Sequence, residues 1–260
     1  MTRTPRAVPH LSKDWERIAK RIHRSRRTAV FLDFDGTLVP IAPRPNQVRI
    51  SSDTRRILKR LALRPRATVA VVSGRRRVEL QHYIGIREIH YFGLYGSDRG
   101  RGAAIPASAR KMLPRAWSKL SQHLYAYPSV WIENKRNSLS IHLLDTPPRF
   151  QERVRKEIRS VIHPFERDLQ LFENLRDIEI VPRSIPDKGA SVREFLAKPP
   201  LRGAFPIYFG DDLSDEPAFA AVRKGVSVLV GGKHLTCAQY HLRGPAEVVT
   251  ALTKLEAALA

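Results

Sequence analysis

The sequence predicts an α/β protein: a Rossmann-like parallel sheet with helices on both faces, interrupted by a small α+β insert. Three observations carry that expectation. Ala29–Leu32, Thr68–Val72, Phe205–Phe209 and Val226–Val230 are short apolar runs without polar alternation, as strands buried on both faces are. Stretches with apolar residues at helical spacing lie between them. From about residue 103 to 182 the pattern changes to helix, strand, strand, twice over, which suits a small sheet covered on one side by two helices. The expected division is therefore a core of residues 1–102 and 183–260 and an inserted module of 103–182.

Taken in order, residues 1–10 read as irregular, and Ser12–Ser25 as a helix with Leu11, Trp15, Ile18 and Ile22 on one face and Ser12 as its N-cap. Ser51 or Ser52 caps a helix carrying Ile57, Leu58 and Leu61. Val78–Ile84 is helical, and Ile89–Leu94 is a strand. The polar, Gly-rich run 99–102 marks a boundary. In the insert, Pro106–Tyr125 is a helix with Leu113, Trp117, Leu120 and Leu124 in register, and Pro114 is a point where it can kink. Ser129–Glu133 and Ser138–Leu144 form a hairpin, Pro147–Ile162 a helix bearing Phe150, Val154, Ile158 and Val161, and Leu169–Glu173 pairs with Asp177–Val181. Asp187–Lys188–Gly189 opens a helix to Leu196, and Pro245–Leu259 closes the chain as a helix.

Composition narrows the function. An apolar fraction of 42% over 260 residues builds a true core. No apolar run approaches the ~20 residues of a membrane span, and the first residues lack the apolar segment of a secretory signal. One cysteine, Cys237, rules out an intramolecular disulfide and fits a reducing cytoplasm, the expected compartment. With 46 Lys+Arg against 25 Asp+Glu the chain carries +21. Such a surface suits a polyanion or an anionic substrate. The arginines are spread along the chain without a nucleic-acid-binding motif, so nucleic acid is not expected as the main partner.

Chemistry is expected at the carboxyl ends of the strands, where open α/β sheets bind ligands. Asp33 and Asp35 follow the first strand, two residues apart and so on one side of an extended backbone. Gly36 permits the sharp turn away. Ser73–Gly74–Arg75 follows the second strand, and its hydroxyl can donate to a phosphate oxygen beside a helix start. Gly210–Asp211–Asp212 and Asp215 follow a later strand. An ordinary polar turn explains each of these separately. Carboxylates converging from two strand ends in so basic a chain point to a Mg²⁺ site, with hard oxygen ligands and retained waters.

Asp33–Asp35–Gly36–Thr37 resembles the DxDGT motif of haloacid dehalogenase-type (HAD) phosphatases, with Ser73 matching motif II, Lys188 motif III and the Gly210–Asp215 stretch motif IV. The resemblance implies a HAD core with a C2-type (C2B) cap between motifs II and III. It also implies that Asp33 is the nucleophile and Asp35 the general acid/base, that Ser73 and Lys188 hold phosphoryl oxygens, and that Gly36, Thr37 and Arg75 serve substrate binding. The ion would be held by Asp33, Asp35 (through its carbonyl) and Asp211, with Asp212 and Asp215 beside it or on its waters.

More narrowly, Gly210–Phe219 resembles the GDDxTDEDAF stretch of trehalose-6-phosphate phosphatases, and the segments around Glu133–Lys135, Ser138–His142 and Glu179–Pro182 resemble that family's cap segments. Glu133, Lys135 and Glu179 would then bind sugar hydroxyls, with His142 structural. The partner so implied is a small sugar phosphate acted on by a monomeric, stand-alone phosphatase domain. Two departures stand out: Tyr95 replaces a histidine and Asp98 a glutamate in the family's GxHG(A/S)E segment. Another capped sugar phosphatase acting on sucrose phosphate or a hexose phosphate, a sugar phosphomutase, or a polyanion-binding protein on the same scaffold are the alternatives.

Overall fold

Strand β1 (Thr28–Leu32) is buried along its whole length, and its residues divide between two cores. Val30 and Leu32 enter one, Ala29 and Phe31 the other. A strand with no wet face has no cause to alternate, which is why the run reads as continuously apolar. The computed structural model describes residues 8–100, 105–135, 137–231 and 234–260. With β2 (Ala67–Val72), β3 (His90–Phe92), β8 (Phe205–Gly210), β9 (Val226–Val230) and β10 (Tyr240–Leu242), β1 forms a six-stranded sheet of order β10-β9-β8-β1-β2-β3. Every pairing in it is parallel.

Helices cover both faces. On one lie α1 (Trp15–Arg24), α2 (Ser52–Ala62), α3 (Arg77–Ile84) and α8 (Pro245–Ala258), which bury Ile18, Ile22, Leu58, Leu61, Leu80, Leu252 and Leu255 against Val30 and Leu32. On the other lie α6 (Lys188–Ala197) and α7 (Glu216–Ala221), whose Val192 and Phe219 meet Phe31 and Tyr208. This unit comprises Met1–Gly102 and Pro186–Ala260; the second comprises Ala103–Ile185.

The second unit holds α4 (Ala107–Leu124), β4 (Trp131–Asn134), β5 (Leu139–His142), α5 (Pro148–Ile162), β6 (Leu169–Glu173) and β7 (Asp177–Pro182). Its strands form an antiparallel sheet of order β4-β5-β7-β6. Leu139, Ile141, Leu169, Ile178 and Ile180 pack with Leu113, Leu120, Val154 and Ile158 of the two helices. Period-two alternation then sends Glu133, Ser140 and Glu179 to the opposite face of the sheet.

The differences from the sequence reading are local. The first helix begins at Trp15, after a 3₁₀ turn (Leu11–Asp14) whose start is capped by His10 accepting from the Ser12 amide, so Ser12 is not the cap. Residues 8–10, expected to be irregular, run beside β10, where Pro9 O accepts from the His241 amide at 3.0 Å. Ser51 is the cap of α2 and accepts from the Thr54 amide at 3.0 Å. Helix α4 continues through Pro114, and Trp117 and Phe150 are exposed, the α4 stripe being completed by Ala109 and Ala116 instead. Strand β10 and helix α7 carried no sequence signal. Residues 1–7, residues 101–104, which include the second half of the boundary run 99–102, and Arg136 of the hairpin turn lie outside the described residues.

Helices α2 and α8 are tied by one buried acid. Glu256 accepts from Arg60 at 2.7 Å and twice from Arg64, at 2.8 and 2.5 Å. Both arginines are partly exposed and can rehydrate, which limits the cost of losing the acid. Glu256→Gln is expected to lower unfolding stability by about 1–2 kcal/mol. Urea denaturation reads this as a lower midpoint with an unchanged slope; an unmoved midpoint would mean that the triad contributes nothing.

Candidate active site

Strands β8, β1 and β2 are neighbours and end at one edge of the sheet. Their next residues are Asp211, Asp33 and Ser73. The Asp33 amide continues the ladder by donating to Phe209 O at 2.9 Å, which sets the two acidic strand ends side by side. Gly36 then turns the chain at φ 80°, and a Cβ there would lie 2.0 Å from Asp211 Oδ2. Glycine at this position therefore serves both the left-handed turn and the space taken by the Asp211 carboxylate. Thr37, fully buried, donates to Asp211 Oδ1 at 3.5 Å.

Asp187 caps α6 by accepting from the Ala190 amide at 2.6 Å, which fixes Lys188 in the first turn of that helix. The Lys188 ammonium, 3% exposed, lies 2.8 Å from Asp215 Oδ1 and 3.0 Å from Asp33 Oδ1. Asp215 is spent on these contacts. Oδ1 also accepts from Tyr208 OH at 2.7 Å, and Oδ2 accepts from the Asp211 and Asp212 amides, both at 3.1 Å. Its bonds hold the acidic loop and the lysine in place. Asp212 accepts from the Leu213 amide at 2.6 Å and stands at the rim, half-buried.

Asp33, Asp211 and Asp215 each place a carboxylate oxygen within 4.8 Å of the others. Three buried carboxylates thus face one ammonium. Burial drives the Asp33 carboxyl up to about 7, with Asp215 and Asp35 adding to the rise and Lys188 opposing it. Asp211 is pushed well above the carboxylate range by burial, then by Asp33 and Asp215. Burial opposes the charge of Lys188, but Asp215 and Asp33 outweigh it and raise its pKa. The uncompensated negative charge and the oxygen-only donor set fit a divalent cation between Asp33 and Asp211.

Asp35 is apart from this cluster. Arg75 grips its carboxylate in a two-bond fork, Nε to Oδ2 at 2.6 Å and Nη2 to Oδ1 at 2.8 Å, and the guanidinium lies over the rings of Phe34 and Tyr83. Ser73 is buried, and its Oγ accepts from the Arg75 amide at 3.2 Å. A Cβ on Gly74 would meet Tyr95 OH at 3.0 Å, and Tyr95 itself has a left-handed backbone (φ 59°), as does Leu94 (φ 47°). Asp98 accepts from the Arg77 amide at 3.1 Å, at the start of α3.

In the second unit, Lys135 Nζ lies 2.6 Å from Glu179 Oε1 and 4.0 Å from Glu133 Oε2. Glu133 also meets His142 Nε2 at 3.0 Å, and the His142 ring stacks on Trp131 at 3.8 Å. The pairing register puts Glu133, Ser140 and Glu179 in one row across β4, β5 and β7. Ser140 Oγ is buried with no hydrogen-bond partner among the described residues. Burial, then Glu179, raises the Asp177 carboxyl.

Asp33, Asp211, Asp215 and Lys188 therefore converge, Asp35 and Arg75 pair beside them, and Glu133, Lys135 and Glu179 form a group of their own. The sequence reading overlooked Tyr208, Trp131, Ser140 and Asp177. Tyr208 precedes the Gly210 strand end by two residues, but nothing in a buried apolar run marks its hydroxyl as an anchor for Asp215.

The trehalose-phosphatase family model matches residues 31–242. The chain belongs to that family. Similar proteins include "Probable trehalose-phosphate phosphatase 9" of Oryza sativa subsp. japonica, 31% identical over 89% of this chain and 70% of its own length, and "Trehalose 6-phosphate phosphatase RA3" of Zea mays, 30% identical over the same shares. A trehalose-6-phosphate phosphatase C-terminal domain of C. albicans superposes with a TM-score of 0.82 at 21% identity, covering 98% of this chain and 99% of that one. A haloacid dehalogenase-like hydrolase of Bacteroides thetaiotaomicron gives 0.61 at 16%, covering 88% and 99%. The fold is that of the HAD hydrolases, and this trehalose-phosphatase family member is a phosphatase. Among the described residues, no helix is long and apolar enough to cross a membrane.

Raised carboxyl groups bind protons in competition with a cation. Affinity of the metal-free protein for Mg²⁺ or Mn²⁺ is therefore expected to fall as pH drops through about 7, where Asp33 takes up its proton. Calorimetric titration at pH 6, 7 and 8 reads this. A pH-independent affinity would place the ion elsewhere.

Proposed function

We propose that this phosphatase hydrolyses trehalose 6-phosphate to trehalose and inorganic phosphate through an aspartyl-phosphate on Asp33, with Mg²⁺ as the cofactor. The observation that carries this reading is the buried Asp33 carboxylate at the end of β1, held 3.0 Å from Lys188 in a cluster with excess negative charge. Family membership supports the substrate.

Asp33 and Asp211, with the Asp35 carbonyl, would hold Mg²⁺. When bound, the ion supplies charge neutralisation at the phosphoryl oxygens. Asp33 attacks phosphorus and Lys188 balances the charge that develops on the phosphoryl oxygens. Ser73 donates to one of those oxygens. Asp35 protonates the departing sugar oxygen, then takes a proton from the water that opens the intermediate. Before it can do so the Arg75 fork has to open and the released Asp35 carboxylate has to take up a proton from solvent; an incoming phosphate competes for that guanidinium, so substrate binding frees the carboxylate for protonation. Asp215 and Tyr208 position Lys188, Asp212 would stand beside the ion, and Gly36 and Thr37 shape the phosphate side of the site.

The inserted unit, residues 103–182 in this reading, supplies substrate recognition. Glu133, Lys135 and Glu179 provide paired donors and acceptors for sugar hydroxyls, and Ser140 offers a further hydroxyl in the same row.

Asp33→Asn is expected to reduce turnover by at least ~10³-fold, as loss of a covalent nucleophile does. Near-normal phosphate release would remove Asp33 from that role. With Mg²⁺ present, trehalose 6-phosphate should be preferred over glucose 6-phosphate and sucrose phosphate; the absence of a preference would leave a sugar phosphatase of other specificity. Lys135→Ala should raise KM for trehalose 6-phosphate by ~10-fold or more while leaving p-nitrophenyl phosphate hydrolysis within about twofold. Equal losses on both substrates would deny the inserted unit its recognition role.

A further inference from the structure

A cavity of about 480 Å³ opens beside the edge strand β3, lined by α3 (Arg77, Gln81), by Gly85, Ile86, Arg87 and Ile89 of the connection, and by His90, Tyr91, Phe92 and Arg99. It lies within the catalytic unit and shares no residue with the carboxylate cluster. Three guanidinium groups and no carboxylate line it. Arg99 is anchored: it donates to Gly96 O at 2.8 Å and to Glu194 at 2.9 Å, and it lies over the Phe92 ring at 4.7 Å. The side chains of Arg77 and Arg87 are different. Among the described residues neither guanidinium has a carboxylate within ion-pair distance. Arg77 is used only through its amide, which donates to Asp98, while its guanidinium is left to the cavity.

The topology separates these charges. Arg77 opens α3 at the carboxyl edge of the sheet and Arg99 follows β3 at that same edge, whereas Arg87 precedes β3 at the other. Between them the wall is Ile86, Ile89, Tyr91 and Phe92, with Gln81 and the His90 ring as polar donors and acceptors. Cationic ends joined by an apolar and amide wall suit a small molecule with an anionic group at each extremity.

We propose that this cavity binds a doubly phosphorylated small metabolite, through Arg87 at one end and Arg77 with Arg99 at the other. The site needs neither the metal nor Asp33, so it stands or falls separately from the catalytic reading. It also has a route to the centre. Arg77 lies two residues after Arg75, and its amide is held by Asp98, in the same loop as Tyr95, whose hydroxyl approaches Gly74.

The test uses the whole chain in EDTA, where the excess of carboxylates at the active site repels anions. Fructose 1,6-bisphosphate is titrated calorimetrically against wild type, Arg87→Ala, and the double variant Arg77→Ala with Arg87→Ala. A control, Arg24→Ala with Lys59→Ala, removes two exposed charges from other helices. Saturable binding at one site per chain is expected, weakened ~10-fold or more in the double variant and unchanged in the control. Arg87 is exposed, so the single variant reads the site without risk to folding. Equal affinity in wild type and double variant, equal losses in the control, or no saturable binding would each overturn the proposal. Inorganic phosphate binding as tightly as the bisphosphate would overturn its two-ended character.

Discussion

The Lys188 ammonium meets two buried carboxylates at once, and the geometry of the carboxylate cluster depends on that arrangement. Without it, Asp33 and Asp215 would be neighbouring buried anions, and burial alone would favour protonating Asp33. With it, Asp215 can spend its remaining bonds on Tyr208 and on the amides of Asp211 and Asp212, which fixes the acidic loop after β8. The lysine is itself placed by a helix cap, Asp187, one residue earlier. A single local motif, an aspartate closing the first turn of α6, thus determines where the charge of the site is balanced.

The balance is deliberately incomplete. One cation against three carboxylates leaves a deficit that hydrogen bonds reduce but do not remove, and the raised Asp33 and Asp211 groups express it. Proteins pay for such strain at functional sites when the surroundings over-determine it. Here the surroundings are rigid: β1 is buried on both faces, Gly36 has no room for a side chain, and Gly189 is so close to Pro217 O that a Cβ would lie 2.2 Å away.

Much of this was legible in the chain itself. Ala29–Leu32 announced a doubly buried strand, the aspartates after it announced an acidic cluster at its carboxyl end, and Ser51 and Asp187 stood where caps belong. What escaped had no local signature. Strand β10 is three residues long and is specified by its pairing with β9, not by its own pattern. Trp117 falls at the spacing of Leu113 and Leu120, yet small Ala109 and Ala116 let α4 approach its sheet, and the large ring is left outside. The fork between Arg75 and Asp35 joins residues forty positions apart, and the anchor from Tyr208 to Asp215, though only seven residues long, spans a strand end and a turn; pairing choices of that kind depend on the folded surroundings. The polar row Glu133–Ser140–Glu179 was partly visible, because the apolar residues that alternate with it were.

The order of the sheet has a consequence for biosynthesis. Strand β1 is flanked by β2, made soon after it, and by β8, made only after the whole insert has been translated. Until the ribosome has passed Gly210, the central strand of the nascent chain carries an open edge of unpaired backbone groups. The antiparallel insert, whose strands pair with near neighbours, has all of its partners by Pro182 and can collapse in the meantime. The polypeptide therefore completes its inserted unit before its six-stranded sheet can close.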